Sequence, residues 1–205
     1  GLPVADAAYL RARPHGLLDG SPWQHRIRYA QVPQLVRALH TAAYILIAYL
    51  SGMRPGEVLT LERGCADKDR RTGLWQITGR EWKAVTDSTG VKIPQGRLRS
   101  DPWIVIEPVA RAVAILEQLH PERLLFPVSI LGAKGTDRRG GAKASATIAN
   151  DMHFFVDWVN SYCASHQRTD GIPVPDFRLN GSQLRRTLAW FICRRPRGLV
   201  AAAIQ

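Results

Sequence analysis

A helix-spaced apolar stretch that stops at a glycine constrains this chain more than any other feature. Between Gln34 and Ser51, the residues Leu35, Val36, Leu39, Ala43, Leu46 and Leu50 recur at helical intervals, and Gly52 follows as a terminator. The uninterrupted apolar run inside it, Ala42 to Leu50, is nine residues long, whereas a bilayer crossing takes about 20. The stretch therefore reads as a buried helix of a soluble, cytoplasmic protein with no membrane partner. Pro55 can open a second, short helix, because its missing N–H is not needed in a first turn, and Glu57 in that turn suits the helix dipole. Arg54 stands at the junction of the two.

Around this helix the hydrophobic period changes along the chain. Residues 1–33, rich in proline and arginine and without a lasting apolar period, read as a linker or N-terminal arm, and residues 34–205 as one domain. Short β-prone runs at Leu74–Thr78, Trp82–Thr86 and Trp103–Ile106 predict a small antiparallel three-stranded sheet. Helical spacing returns at 109–119 through Val109, Ala112, Val113, Leu116 and Leu119. It returns again through Ile148, Met152, Phe155, Val159 and Cys163, and in a last helix from about Ser182 to Arg195, ended by Pro196. Between them, Gly132–Ser145 is a glycine-rich loop carrying Lys134, Arg138, Arg139 and Lys143. The expected class is α+β, mainly α-helical.

Twenty-eight basic residues face 17 acidic ones, a formal charge of +11. Arginine dominates the excess, and its planar fork grips phosphate in pairs of hydrogen bonds, so the balance points to a polyanion partner. Cys65, Cys163 and Cys193 are odd in number and lack CxxC spacing, which argues for free buried thiols rather than a disulfide framework or zinc site. The histidines include no i, i+4 pair and no His-Glu-x-x-His, so no metal is expected. Gly135 to Lys143 lacks the Gly-Lys-Ser/Thr ending of a phosphate loop. Phe155 and Trp158 read as core or groove wall rather than base-stacking platforms. The Arg194, Arg195, Arg197 run is equally a solvated face or a set of backbone contacts.

Two separated segments carry the most specific signal: Ser51-Gly52-Met53-Arg54-Pro55-Gly56-Glu57-Val58-Leu59, and Gln183-Leu184-Arg185-Arg186-Thr187-Leu188. Together they resemble the two arginine boxes of the tyrosine site-specific recombinase (phage integrase) family. Lys83, in Gly79-Arg80-Glu81-Trp82-Lys83, falls where that family carries a hairpin lysine. The resemblance spans about residues 34–205 and implies an integrase catalytic-domain-like fold. It implies cleavage and rejoining of double-stranded DNA through a 3′-phosphotyrosyl link, without metal or other cofactor, in an assembly of several protomers.

On that resemblance Arg54 and Arg185 clamp the scissile phosphate, Lys83 protonates the departing 5′ oxygen, and Glu57 orients Arg54. Arg186, Arg138, Arg139 and Lys143 are the expected DNA contacts. Read without the family, Arg54 could simply cap a helix and Lys83 could be a solvated hairpin residue. The chain departs from the pattern in two places. Ser182 stands where the family has a histidine, and no tyrosine follows Arg185. The first leaves a hydroxyl able to hold a phosphate oxygen but not to act as a base of matched pKa. The second leads to the expectation of a polypeptide cut before its nucleophile, inactive by itself, or alternatively of a non-catalytic DNA-binding module built on the same scaffold.

Overall fold

The computed structural model describes residues 8–83, 85–130, 141–196 and 198. Its architecture is mixed α/β, with five α-helices and small antiparallel sheets among the described residues. Helix α1, Val32–Ser51, is the axis of the molecule: α3, α4 and α5 all pack against it. Its core-facing side holds Ala43, Tyr44, Ile47 and Ala48, while Leu39, on the stripe predicted from sequence, is 41% exposed. The helix is apolar nearly all round, so periodicity locates it without fixing its rotation. Gly52 ends it at φ +68°, a left-handed conformation that glycine adopts without steric cost.

Helix α2, Pro55–Leu59, follows at once and buries Glu57, Val58 and Leu59. Next comes the sheet β3–β4–β7, formed by Ala66–Lys68, Trp75–Ile77 and Trp103–Val105. Both ladders are antiparallel, with Ala66 opposite Ile77 and Ile77 opposite Trp103. Alternation along β7 buries Trp103 and Val105 and leaves Ile104 outside; β7 contacts α1, while α3, Glu107–Leu119, packs on β3 and β4.

The predicted sheet thus needs one correction. Trp82–Thr86 is not its third strand; the polar edge strand β3 is. The described residues of the 82–86 stretch are held by individual contacts: the Thr86–Lys92 bridge, the Ile93 amide donating to Val85 O at 3.1 Å, and the Trp82 indole donating to Pro94 O at 3.2 Å. The stretch lies in the connection between the two strands of a separate ribbon, β5 (Arg80–Glu81) with β6 (Arg97–Leu98). β3 escapes a search for β-branched runs because it packs by backbone pairing rather than by its side chains.

Helix α4, Ser145–Ser165, and helix α5, Gly181–Cys193, complete the bundle around α1. Residues 8–31 lie on the outside, where a short hairpin, β1 (Leu17–Leu18) with β2 (Ser21–Pro22), precedes a 3-10 turn at Tyr29–Gln31. None of the described residues before Val32 is buried, and the Tyr162 hydroxyl ties the segment to α4 by donating to Trp23 O at 2.8 Å. No helix among the described residues is long and apolar enough to cross a membrane. Cys65 and Cys163 are buried thiols as read from sequence, but Cys193 is exposed on the outer side of α5.

Candidate anion site at the starts of α2 and α5

Two helix starts are pressed together by a close backbone approach. At Gly181, the first residue of α5, a Cβ would lie 2.1 Å from Tyr44 Oη and 3.2 Å from Pro55 Cγ. Only a residue without a side chain lets α5 sit so near α1 and the first residue of α2. The sequence segments around Arg54 and Arg185, some 130 positions apart in the chain, are thereby made neighbours.

Arg54 is the N-cap of α2, with extended backbone. Glu57, 3% exposed, grips it twice: Oε2 accepts from the Arg54 amide at 2.7 Å and Oε1 from its Nη1 at 2.8 Å. The same carboxylate caps an orphan helix N–H and fixes a guanidinium whose side chain remains 40% exposed. The capping and orienting roles read for this pair are therefore both filled at once.

Helix α5 is started by Asn180, whose Oδ1 accepts from the Ser182 amide at 3.1 Å while Gln183 Oε1 accepts from the Asn180 amide at 2.7 Å. Leu179 and Leu184 pack against the core, which sets the rotation of the helix and leaves Arg185 half-buried. Burial holds the Arg185 guanidinium below the ordinary arginine range. The positive charge of Arg54 depresses it further, Glu57 works against this, and Arg99 adds to the depression. The guanidinium thus lies within the electrostatic reach of two other arginines, and Glu57, the carboxylate that works against them, is already hydrogen-bonded to Arg54. A half-buried cluster of like charges carries a standing cost that a bound anion relieves.

Arg99 was not legible as a site residue. Its backbone N–H donates to Gly79 O at 3.0 Å, and its guanidinium lies 4.6 Å from the centroid of the buried Trp103 ring. The available signal was an arginine just past the return strand of a hairpin, with a tryptophan shortly after it.

The other site residues read from sequence are less concentrated. Lys83 is exposed in the turn after β5 and makes no hydrogen bond or ion pair with a described residue. Ser182 and Arg186 are exposed on α5. Arg138 and Arg139 lie outside the described residues. Lys143 does not face outward as a loop cation: its ammonium, with a side chain 9% exposed, bonds Asp151 Oδ2 at 2.8 Å and donates to His40 Nδ1 at 3.3 Å. Asp151, 4% exposed, also takes Arg37 Nε at 2.7 Å. His40 Nε2 in turn donates to Leu125 O at 3.0 Å. Lys143 is thus the centre of an internal polar network joining α1, α4 and the strand-like segment near Leu125.

No protein-family model and no curated protein matches this chain.

Proposed function

We propose that these residues form the phosphate-gripping part of a DNA strand-transfer enzyme of the tyrosine recombinase type, acting on double-stranded DNA without a metal. The observation that carries the reading is the nearness of the starts of α2 and α5, which sets Arg54, the N-cap of one, and Arg185, in the second turn of the other, within electrostatic reach of each other and of Glu57. Opening a phosphodiester without a metal calls for cations fixed around the non-bridging oxygens as charge builds there. Arg54, oriented by Glu57, and Arg185, held by its packed helix, suit that task because their positions are set before the anion arrives. Lys83, on an exposed turn, would reach the departing 5′ oxygen by swinging inward. The attacking tyrosine of the recombinases has no counterpart between Arg186 and Gln205, and the described Tyr162 and Tyr44 are committed to packing. Several protomers acting together, and the integrase-like fold itself, belong to the same proposal.

A second reading, a DNA-binding module without catalysis, is favoured by Ser182, because a serine cannot supply the proton transfer that a histidine there would. The two separate in one experiment. Binding of a labelled duplex is measured for the chain and for Arg54→Ala and Arg185→Ala, and covalent capture on a nicked duplex is measured in parallel for the same three versions of the full-length gene product, which brings any tyrosine encoded after Gln205. Loss of binding in both variants with no capture favours the module, and capture that both variants abolish favours the enzyme. Binding unaffected by either substitution removes the arginine site from both readings.

A further inference from the structure

A second site stands at the other end of α1, which at 20 residues sets it roughly 30 Å from the arginines along the helix axis. There the segment before α1 leans over the last turns of α4 and leaves a cavity of about 530 Å3. Trp158, Tyr162 and His166 line it, part of a ladder of rings that begins at Phe155 in the adjoining groove and runs along α4 to its C-cap. Phe155 and Trp158 stack with centroids 6.4 Å apart, Trp158 and Tyr162 at 6.3 Å, and Tyr162 and His166 at 4.0 Å, each tilted by less than 30°. Trp23 closes the opposite wall, its ring centroid 6.4 Å from that of Tyr162.

The polar lining is neutral. Among the described residues, no Lys, Arg, Asp or Glu borders the cavity. Gln24 Nε2 donates to Gln31 Oε1 at 2.9 Å and to Arg26 O at 2.7 Å, and the Arg28 amide donates to the same Gln31 oxygen at 2.9 Å. Both glutamines are thereby fixed. The Gln31 amide NH2, the Gln34 amide and the His25 imidazole are left with no partner among the described residues. The segment that forms its wall carries Arg26, over the Tyr9 ring at 5.4 Å, and Arg28, neither paired with a carboxylate among the described residues, and is tied to the chain just past α4 by the Arg168–Asp19 ion pair. An adjoining apolar groove of about 390 Å3 shares Trp23, Leu35 and Trp158 and continues along Leu39 and Phe155.

Flat aromatic walls select a planar group, unpaired amides and an imidazole select one with several hydrogen-bonding atoms, and the uncharged lining disfavours an ion. Unneutralised arginines beside such a pocket suit phosphates attached to that group. We propose that this cavity holds an unpaired nucleobase of a DNA single strand, stacked against Trp23 and Trp158 with its edge toward Gln34 and His25 and its phosphates near Arg26 and Arg28. Aromatic stacking of this kind accepts any base, because every base has a π face. The sequence reads Phe155 and Trp158 as core or groove wall rather than base-stacking platforms; on this proposal Phe155 keeps that reading in the adjoining groove, and Trp158 is instead a stacking surface. The site stands apart from the arginines and does not depend on their role.

The test compares the affinity of the full chain for a labelled short oligothymidylate, for an abasic strand of equal length and for a duplex. The wild-type chain is expected to prefer the oligothymidylate over the abasic strand by about fivefold or more, the lower end of one stacked base. His25→Ala with Gln34→Ala, both exposed and therefore safe for the fold, and separately Trp158→Leu, should each bring that ratio toward one while duplex affinity stays unchanged. Equal affinity of the wild-type chain for the two strands overturns the proposal. So does a preference that survives the His25/Gln34 double substitution, which decides the matter even if Trp158→Leu fails to fold. Thymidine monophosphate that competes as strongly as the strand would reassign the cavity to a free nucleotide and overturn the single-strand assignment.

Discussion

At the residue scale, the contact between Gly181 and Tyr44 is the point on which the arginine site turns. Tyr44 is fully buried, and its hydroxyl has no hydrogen-bond partner among the described residues. Its oxygen is also the atom that a Cβ at position 181 would strike. Gly181→Ala should therefore destabilise the fold by about 1–3 kcal/mol through overpacking, and Tyr44→Phe, which removes an unsatisfied buried oxygen, should be neutral or stabilising. In the double variant much of the Gly181→Ala cost should vanish. Urea unfolding of the four proteins measures the coupling, and strictly additive effects would separate the two residues. The thiols offer a second check at this scale. Burial pushes the Cys65 thiol up to about 12, so that it stays protonated and shielded, while Cys193 is open to solvent. A maleimide added to the folded chain should label Cys193 first and reach Cys65 only on unfolding, as peptide mass mapping would show.

At the scale of elements, α4 is joined to α1 by charge as well as by packing. Asp151 receives both Arg37 and Lys143, and Lys143 donates onward to His40. Asp151→Ala leaves the Lys143 ammonium buried without its counter-charge, at a cost of about 3–5 kcal/mol in chemical denaturation. His40 adds a pH dependence. Burial above all, and then the charge of Lys143, lower its pKa to about 3 from an unfolded value of 6.5. Above pH 6.5 both states are neutral at this ring. As the pH falls from there toward 3, the unfolded chain gains a proton that the folded one refuses, so stability drops with a slope approaching about 1.4 kcal/mol per pH unit. His40→Gln should flatten that loss between pH 7 and 5 when unfolding midpoints are compared.

Little of this network could be read in advance. Helices α1, α3, α4 and α5 announce themselves by apolar spacing, and the Arg54–Glu57 cap by its three-residue offset. Lys143, by contrast, sits beside glycines and arginines in a stretch that reads as solvated. Its burial is decided by Asp151 and His40, which are eight and 103 positions away. Arg99 and β3 escape for the same reason, since their roles are set by partners distant in the chain rather than by local pattern.

At the scale of the whole molecule, a formal charge of +11 draws any polyanion to the surface, so a loss of affinity on removing an arginine has to be separated from the loss of one unit of net charge. The salt dependence is more discriminating. Each phosphate neutralised by the protein releases counterions and contributes about −0.9 to the slope of log affinity against log salt on a duplex. Surface arginines that contact DNA transiently lose their contribution one at a time. If Arg54 and Arg185 grip one phosphate region together, removing both should flatten the slope by about one to two units. Exchanging two exposed arginines elsewhere, Arg111 on α3 and Arg123 beyond it, keeps the same net charge as that double variant and serves as its control. These two already hold Glu107 and Glu62, so the control should leave the slope nearly unchanged. Equal flattening in both double variants would mean that net charge alone governs binding, and the paired helix starts would then be a packing device with no claim on the phosphate.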